Sequence, residues 1–142
     1  MDKNTIYHPH YLTFPMAILK DGLRDINAAT RDVFAYHLFQ EASKYIGLHS
    51  KDRALSKGAD VLGLTFGNIN WSYDRGQLLN SIQGPKTSIT VKMLIDFHIN
   101  QKEEFEVVTF LAFAAIKSII QKQKYTKITN KYLLGRMVGN AK

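Results

Sequence analysis

A chain of 142 residues, 45% apolar and 22% charged, can build one real core that hides roughly 68–70% of its unfolded surface, which excludes a disordered polyelectrolyte. The absence of cysteine excludes disulfides and thiolate metal sites and suits a reducing cytoplasm, where the protein is expected. A net charge of +7 excludes an acidic chain and makes the placement of the lysines the first question.

Met1 to Thr5 lack the basic-then-apolar order of a secretory signal, and His8-Pro9-His10 reads as an extended approach. Pro15 fits the first turn of a short helix over 16–20 that breaks near Gly22. Asn27 is placed to cap a long helix ending at Gly47, with Phe34, Ala35, Leu38, Phe39, Ala42, Tyr45 and Ile46 on its inner stripe. Ser50 caps the next helix, which runs through Ala54, Leu55, Ala59 and Leu62 to Gly63, and another lies between Asn68 and Ile82 before Gly84-Pro85. Every odd position from Ile89 to Ile99 is apolar, which argues for a strand, although Val91, Leu94, Ile95 and His98 also satisfy a helical face; strand stands slightly ahead. Asn100 can cap a helix over 103–123, whose Glu103, Glu104 and Glu106 suit the positive end of its dipole. Between Val107 and Ile116 that helix is apolar almost all round, about half the roughly 20 residues of a membrane span, and it reads as the central core helix. Thr129 opens a final short helix over 130–138. No linker or repeat divides the chain. A single, mainly α domain over residues 1–142 is therefore expected, its first ten residues irregular, with at most one short strand or hairpin near 88–99.

The charge is uneven. Residues 1–50 carry five basic and five acidic side chains, 51–100 carry six and four, and 101–142 carry eight and three. Beyond Glu106 no acid occurs, while Lys117, Lys122, Lys124, Lys127, Lys131, Arg136 and Lys142 follow. A polyanion is the natural partner of such a stretch, because each neutralised phosphate releases condensed counterions; the plainer reading is a solvated basic face. Lys127, Asn130 and Lys131 would bracket the N-terminus of the last helix, with Lys124 and Arg136 beside it, and a helix N-terminus offers unpaired N–H groups to a phosphate.

Residues 55–74 carry a second signal. Ala59 stands four residues before Gly63, Leu62 and Leu64 flank the glycine, and Ile69 lies six beyond it. This pattern resembles the helix-turn-helix of bacterial DNA-binding regulators, over about a seventh of the chain. Gly58 sits where an aliphatic residue is usual, and Ser72, with Trp71 beside it, occupies another normally apolar position. The resemblance implies a reading helix bearing Asn68, Asn70, Ser72, Tyr73 and Arg75, of which Asn and Arg can bond base edges in pairs. A winged-helix variant would need two strands for its wing, and one is legible. DNA is then the expected ligand, with RNA next, and a homodimer is the usual companion of paired half-sites. The rival reading is an adaptor whose apolar helices dock a partner helix; membrane insertion is not expected. Trp71, the one tryptophan, reads as a core anchor ahead of an interface residue.

No nucleophile elbow, Walker loop or dinucleotide glycine pattern is present, so no catalytic or cofactor residues are expected. His8 and His10 have no third ligand at a suitable spacing, His37 sits at the edge of an apolar stripe, and His98 would share a strand face with Asp96; no metal site is expected.

Overall fold

The computed structural model describes residues 11–100, 102–120 and Met137. They fall into two compact units: an inserted unit, Phe34–Ser81, and a discontinuous unit formed by Tyr11–Val33 with the residues from Ile82 onward. The fold is mainly α, with one short two-stranded antiparallel ribbon.

The discontinuous unit begins with β1 (Tyr11–Pro15), which pairs with β2 (Lys86–Thr90) in a register running from Tyr11 opposite Thr90 to Pro15 opposite Lys86. Period two explains the faces: Leu12 and Phe14, with Thr87 and Ile89, point inward, while Thr13 and Ser88 share a 2.7 Å hydroxyl contact outside. Pro15 has no N–H for a longer ladder, and the chain turns at once into a 3-10 turn, Met16–Leu19, whose first N–H donates to the Pro85 carbonyl at 2.7 Å.

Helix α1 (Ile26–Ser43) contributes its start to this unit and its remainder to the inserted one. Its cap is Asp25, whose Oδ1 accepts from the Ala28 N–H at 3.0 Å. Asn27, the cap expected from sequence, lies inside the helix, and with its amide oriented to donate it reaches the carbonyls of Phe97 and His98.

The alternating stretch 89–99 divides. The strand stops at Thr90, whose hydroxyl accepts from the Met93 N–H at 3.2 Å and starts α4 (Val91–Ile99). Helical spacing buries Val91, Leu94 and Phe97 and leaves Ile99 in solvent, so the expected strand over 91–99 is corrected to helix. Asn100 ends α4 instead of opening the next helix, and its amide donates to Asp96 Oδ1 at 2.8 Å. Helix α5 (Glu104–Ile120) packs against β2 and the 3-10 turn. The buried Thr87 hydroxyl donates to the Ala114 carbonyl at 2.7 Å and ties the strand to the helix. Phe14, Met16, Leu19, Ile89, Leu94, Leu111 and Ile119 form the centre of this unit. Yet α5 is not surrounded: Phe105, Val108 and Phe113 on its other side are exposed. Among the described residues, no helix is long and apolar enough to cross a membrane.

Candidate nucleic-acid interface

The inserted unit consists of the second part of α1, then α2 (Lys51–Leu62) and α3 (Ile69–Leu79). After α1 the chain turns through Gly47, at φ 92, and Ser50 caps α2 by accepting from the Arg53 N–H at 3.3 Å. Leu62 ends α2 because Gly63 adopts φ 69, which lets Gly63 N–H donate to Asp60 and Leu64 N–H donate to Ala59. That pair of bonds is a Schellman closure, which only a residue at ease in the left-handed region forms cheaply. Asn68 then accepts from the Trp71 N–H at 3.0 Å and opens α3.

Two glycines set how closely the helices approach. A Cβ on Gly58 would lie 2.9 Å from the Ala42 nitrogen, and one on Gly76 would lie 2.0 Å from the Ala35 carbonyl oxygen. Both helices of the pair thus rest against α1 backbone. Gly58, which departs from the usual helix-turn-helix pattern, is small because α1 occupies the space an aliphatic side chain would need. Ser72 is buried on the same inner row of α3 as Gly76 and Leu79. Phe39 packs on Tyr73 with ring centroids 5.2 Å apart, Gln40 donates to Asn80 Oδ1 at 2.9 Å, and Lys51 lies over the Tyr73 ring at 5.4 Å.

The sequence-derived contact residues separate in this frame. Asn70 is exposed on the first turn of α3, Arg75 is half-buried, and Asn68 is held by its capping bond, so its first role is structural. Trp71 is 42% exposed, which corrects the core reading: one residue before Ser72, it falls off the inner row. Asp74, Gln77 and Leu78 complete the exposed side of α3. Over Phe34–Ser81 five basic side chains meet four acidic ones, so this unit carries little excess charge. Lys124, Lys127, Asn130, Lys131 and Arg136 lie outside the described residues.

A second candidate belongs to the discontinuous unit. Between α4 and α5 lies a groove of about 390 Å³ lined by Met93, Phe97, Phe105, Thr109, Phe110 and Phe113. Phe97 and Phe110 stack with centroids 4.5 Å apart at its floor. At one end Lys102 Nζ reaches Asp96 Oδ2 at 2.7 Å and Glu106 Oε2 at 3.9 Å, over the Phe97 ring. The hydrogen bonds from Lys102 and Asn100 hold the Asp96 carboxyl below its ordinary range, and the bond to Asp96 raises the Lys102 ammonium. Asp96 and His98, expected on one strand face, lie instead on α4, where Asp96 pairs with Lys102. Sequence reasoning missed this groove by reading α5, apolar all round, as wholly enclosed; the spacing Phe105, Thr109, Phe113 was the available signal. Among the described residues no three His, Asp or Glu side chains gather to hold a metal ion.

Comparison with protein-family models, with curated protein sequences and with solved structures found no significant match.

Proposed function

We propose that this chain is a non-enzymatic nucleic-acid-binding protein that takes DNA, with basic side chains near the C-terminus holding phosphates and α3 of the inserted unit presented to the groove. The observation that carries this reading is the partition of charge. Residues 1–120 hold thirteen basic and twelve acidic side chains, whereas 121–142 hold six basic and none acidic. A chain whose first 120 residues are nearly neutral and whose excess of positive charge falls in residues 121–142 suits a polyanion better than it suits mere solubility. The capped α2–turn–α3 pair supports a groove-facing role, since Asn70 and Gln77 are exposed amides able to bond base edges. The open apolar side of α5 is what favours the adaptor reading.

The test is binding of a labelled random duplex, by fluorescence anisotropy, across a salt series. If five phosphates are neutralised, the logarithmic salt slope is about −4.5, and moving from about 50 to 200 mM salt weakens binding roughly 500-fold. Lys127→Glu and Lys131→Glu should weaken all sequences alike, while Asn70→Ala should alter preference among sequences. An affinity indifferent to salt, or a protein that ignores duplex while binding single-stranded RNA, would overturn the DNA reading.

A further inference from the structure

The geometry of α3 points to A·T pairs, met through the major groove, as what this helix takes from a duplex; the inference rests on the DNA reading and gives it a base preference. The exposed positions of α3 are Asn70, Trp71, Asp74, Gln77 and Leu78, with Trp71 42% and Leu78 69% exposed. At helical period they fall into two rows, Asn70 with Gln77 and Trp71 with Leu78, and Asp74 stands between them. The inner row of Ser72, Gly76 and Leu79 fixes which way they face, because Gly76 sets α3 directly on α1 backbone. One outward row is amide and the other is apolar.

In the major groove an A·T pair offers the same two chemistries side by side. Adenine presents N7 as acceptor and N6 as donor, which an Asn or Gln amide meets with two bonds, and thymine presents a C5 methyl, which an apolar side chain covers. Residues seven apart on a helix are separated by about 10.5 Å, close to the roughly 10 Å of three base-pair steps, so each row can span two pairs. Asp74 adds rejection. Guanine shows only acceptors, O6 and N7, to this groove, and a carboxylate has no proton to give them, whereas it accepts from the amino groups of adenine and cytosine. Arginine and lysine are the usual guanine readers; neither holds an exposed position on α3, and Arg75 lies half-buried at the edge of the inner row.

The size of the preference follows from these contacts. One amide bonded to adenine in two places discriminates by about tenfold, and each methyl covered adds about fourfold. Phosphate contacts by the basic C-terminal side chains are blind to sequence and contribute equally to every duplex. Duplexes of equal length at one salt concentration therefore isolate what α3 reads.

The experiment is fluorescence anisotropy of the full chain at about 50 mM salt with four labelled duplexes: all A·T, the same with deoxyuridine for thymidine, all G·C, and that one with inosine for guanine. The A·T duplex should bind about tenfold or more tighter than G·C, and deoxyuridine, which deletes the methyl, should weaken it about fourfold for each methyl covered. Inosine removes an amino group from the minor groove alone, so its duplex should bind like G·C. Asn70→Ala should cut the A·T advantage about tenfold, and Trp71→Ala/Leu78→Ala should no longer tell deoxyuridine from thymidine. The deoxyuridine and inosine comparisons use the wild type, so they stand whether or not a variant folds. Equal affinity for A·T and G·C, indifference to deoxyuridine, or an inosine duplex that binds like A·T overturns this inference and leaves the DNA reading in place. A chain that binds none of the four overturns both.

Discussion

Gly76→Ala is the sharpest probe of the inserted unit. Away from contacts, alanine in a helix interior is worth about 1 kcal/mol over glycine, so the change should stabilise α3. Here the new methyl would stand 2.0 Å from the Ala35 carbonyl oxygen and 2.7 Å from Phe39 Cβ, against 3.4 Å for ordinary contact. The shortfall is about 1.4 Å against a carbonyl oxygen fixed in α1 backbone, so α3 must move away along its whole contact. Overpacking of this kind costs about 1–3 kcal/mol and sometimes more, and against rigid backbone the upper end applies. After the helical gain is subtracted, a net loss of about 2 kcal/mol is expected, or roughly 6–8 °C in Tm for a chain of this size. Gly58→Ala is milder, although its Cβ would lie 2.9 Å from the Ala42 backbone nitrogen and 3.0 Å from its Cα, so the backbone of α1 or α2 must still shift. It should fall within about 1 kcal/mol of wild type. Gly67→Ala, with nothing within 4 Å, is the control and should be neutral or slightly stabilising. Urea melts of the three variants, followed by circular dichroism, supply the comparison. If Gly76→Ala melts with Gly67→Ala at or above wild type, the close approach of α3 to α1 is wrong.

Two further outcomes follow from caps and charges. Asn68→Ala should cost about 1 kcal/mol by removing the bond to the Trp71 N–H, while Asn68→Ser should retain most of it, both read from urea melts. Because Asp96 titrates below its ordinary value when folded, its pairing contributes above the ordinary carboxylate range and fades as pH falls through the lowered value. The raised Lys102 contributes below the ordinary lysine range and loses that contribution as pH rises through its own elevated value. Lys102→Met should return the Asp96 carboxyl toward its ordinary range, as followed by carbon-detected NMR titration.

What the sequence makes legible is the punctuation. Ser50, Gly63 and Asn68 each sit where the helix boundaries fall, because capping is a local bond between residues a few places apart. The helices of the resembled motif follow from those three residues. Misreadings arise where a local pattern has two solutions or the partner is remote. Asp25 and Asn27 are both capping residues, and only the Asp25 carboxylate reaches an unpaired N–H at the start of α1. The alternation from Ile89 to Ile99 fits both periods, and the cap at Thr90 decides between them. Strand β1 went unread because its ladder lies 75 residues away, beyond the reach of any window. Of the proposed contact residues, Asn70 stands exposed and Asn68 is a cap, and Gly58, which sets the spacing of α2 from α1, had looked like a departure from the motif.

The distance in sequence between the two strands also sets an order of synthesis. When a growing chain has emerged as far as Ser81, every residue of the inserted unit is free to fold, while β1 still has no complement. Until Thr90 appears, Tyr11–Pro15 is an extended edge with Leu12 and Phe14 uncovered, the kind of template on which nascent chains associate. Ribosomal products cut short between Ser81 and Lys86 should therefore demand more from chaperones than those stopped before Tyr11 or after Ile120.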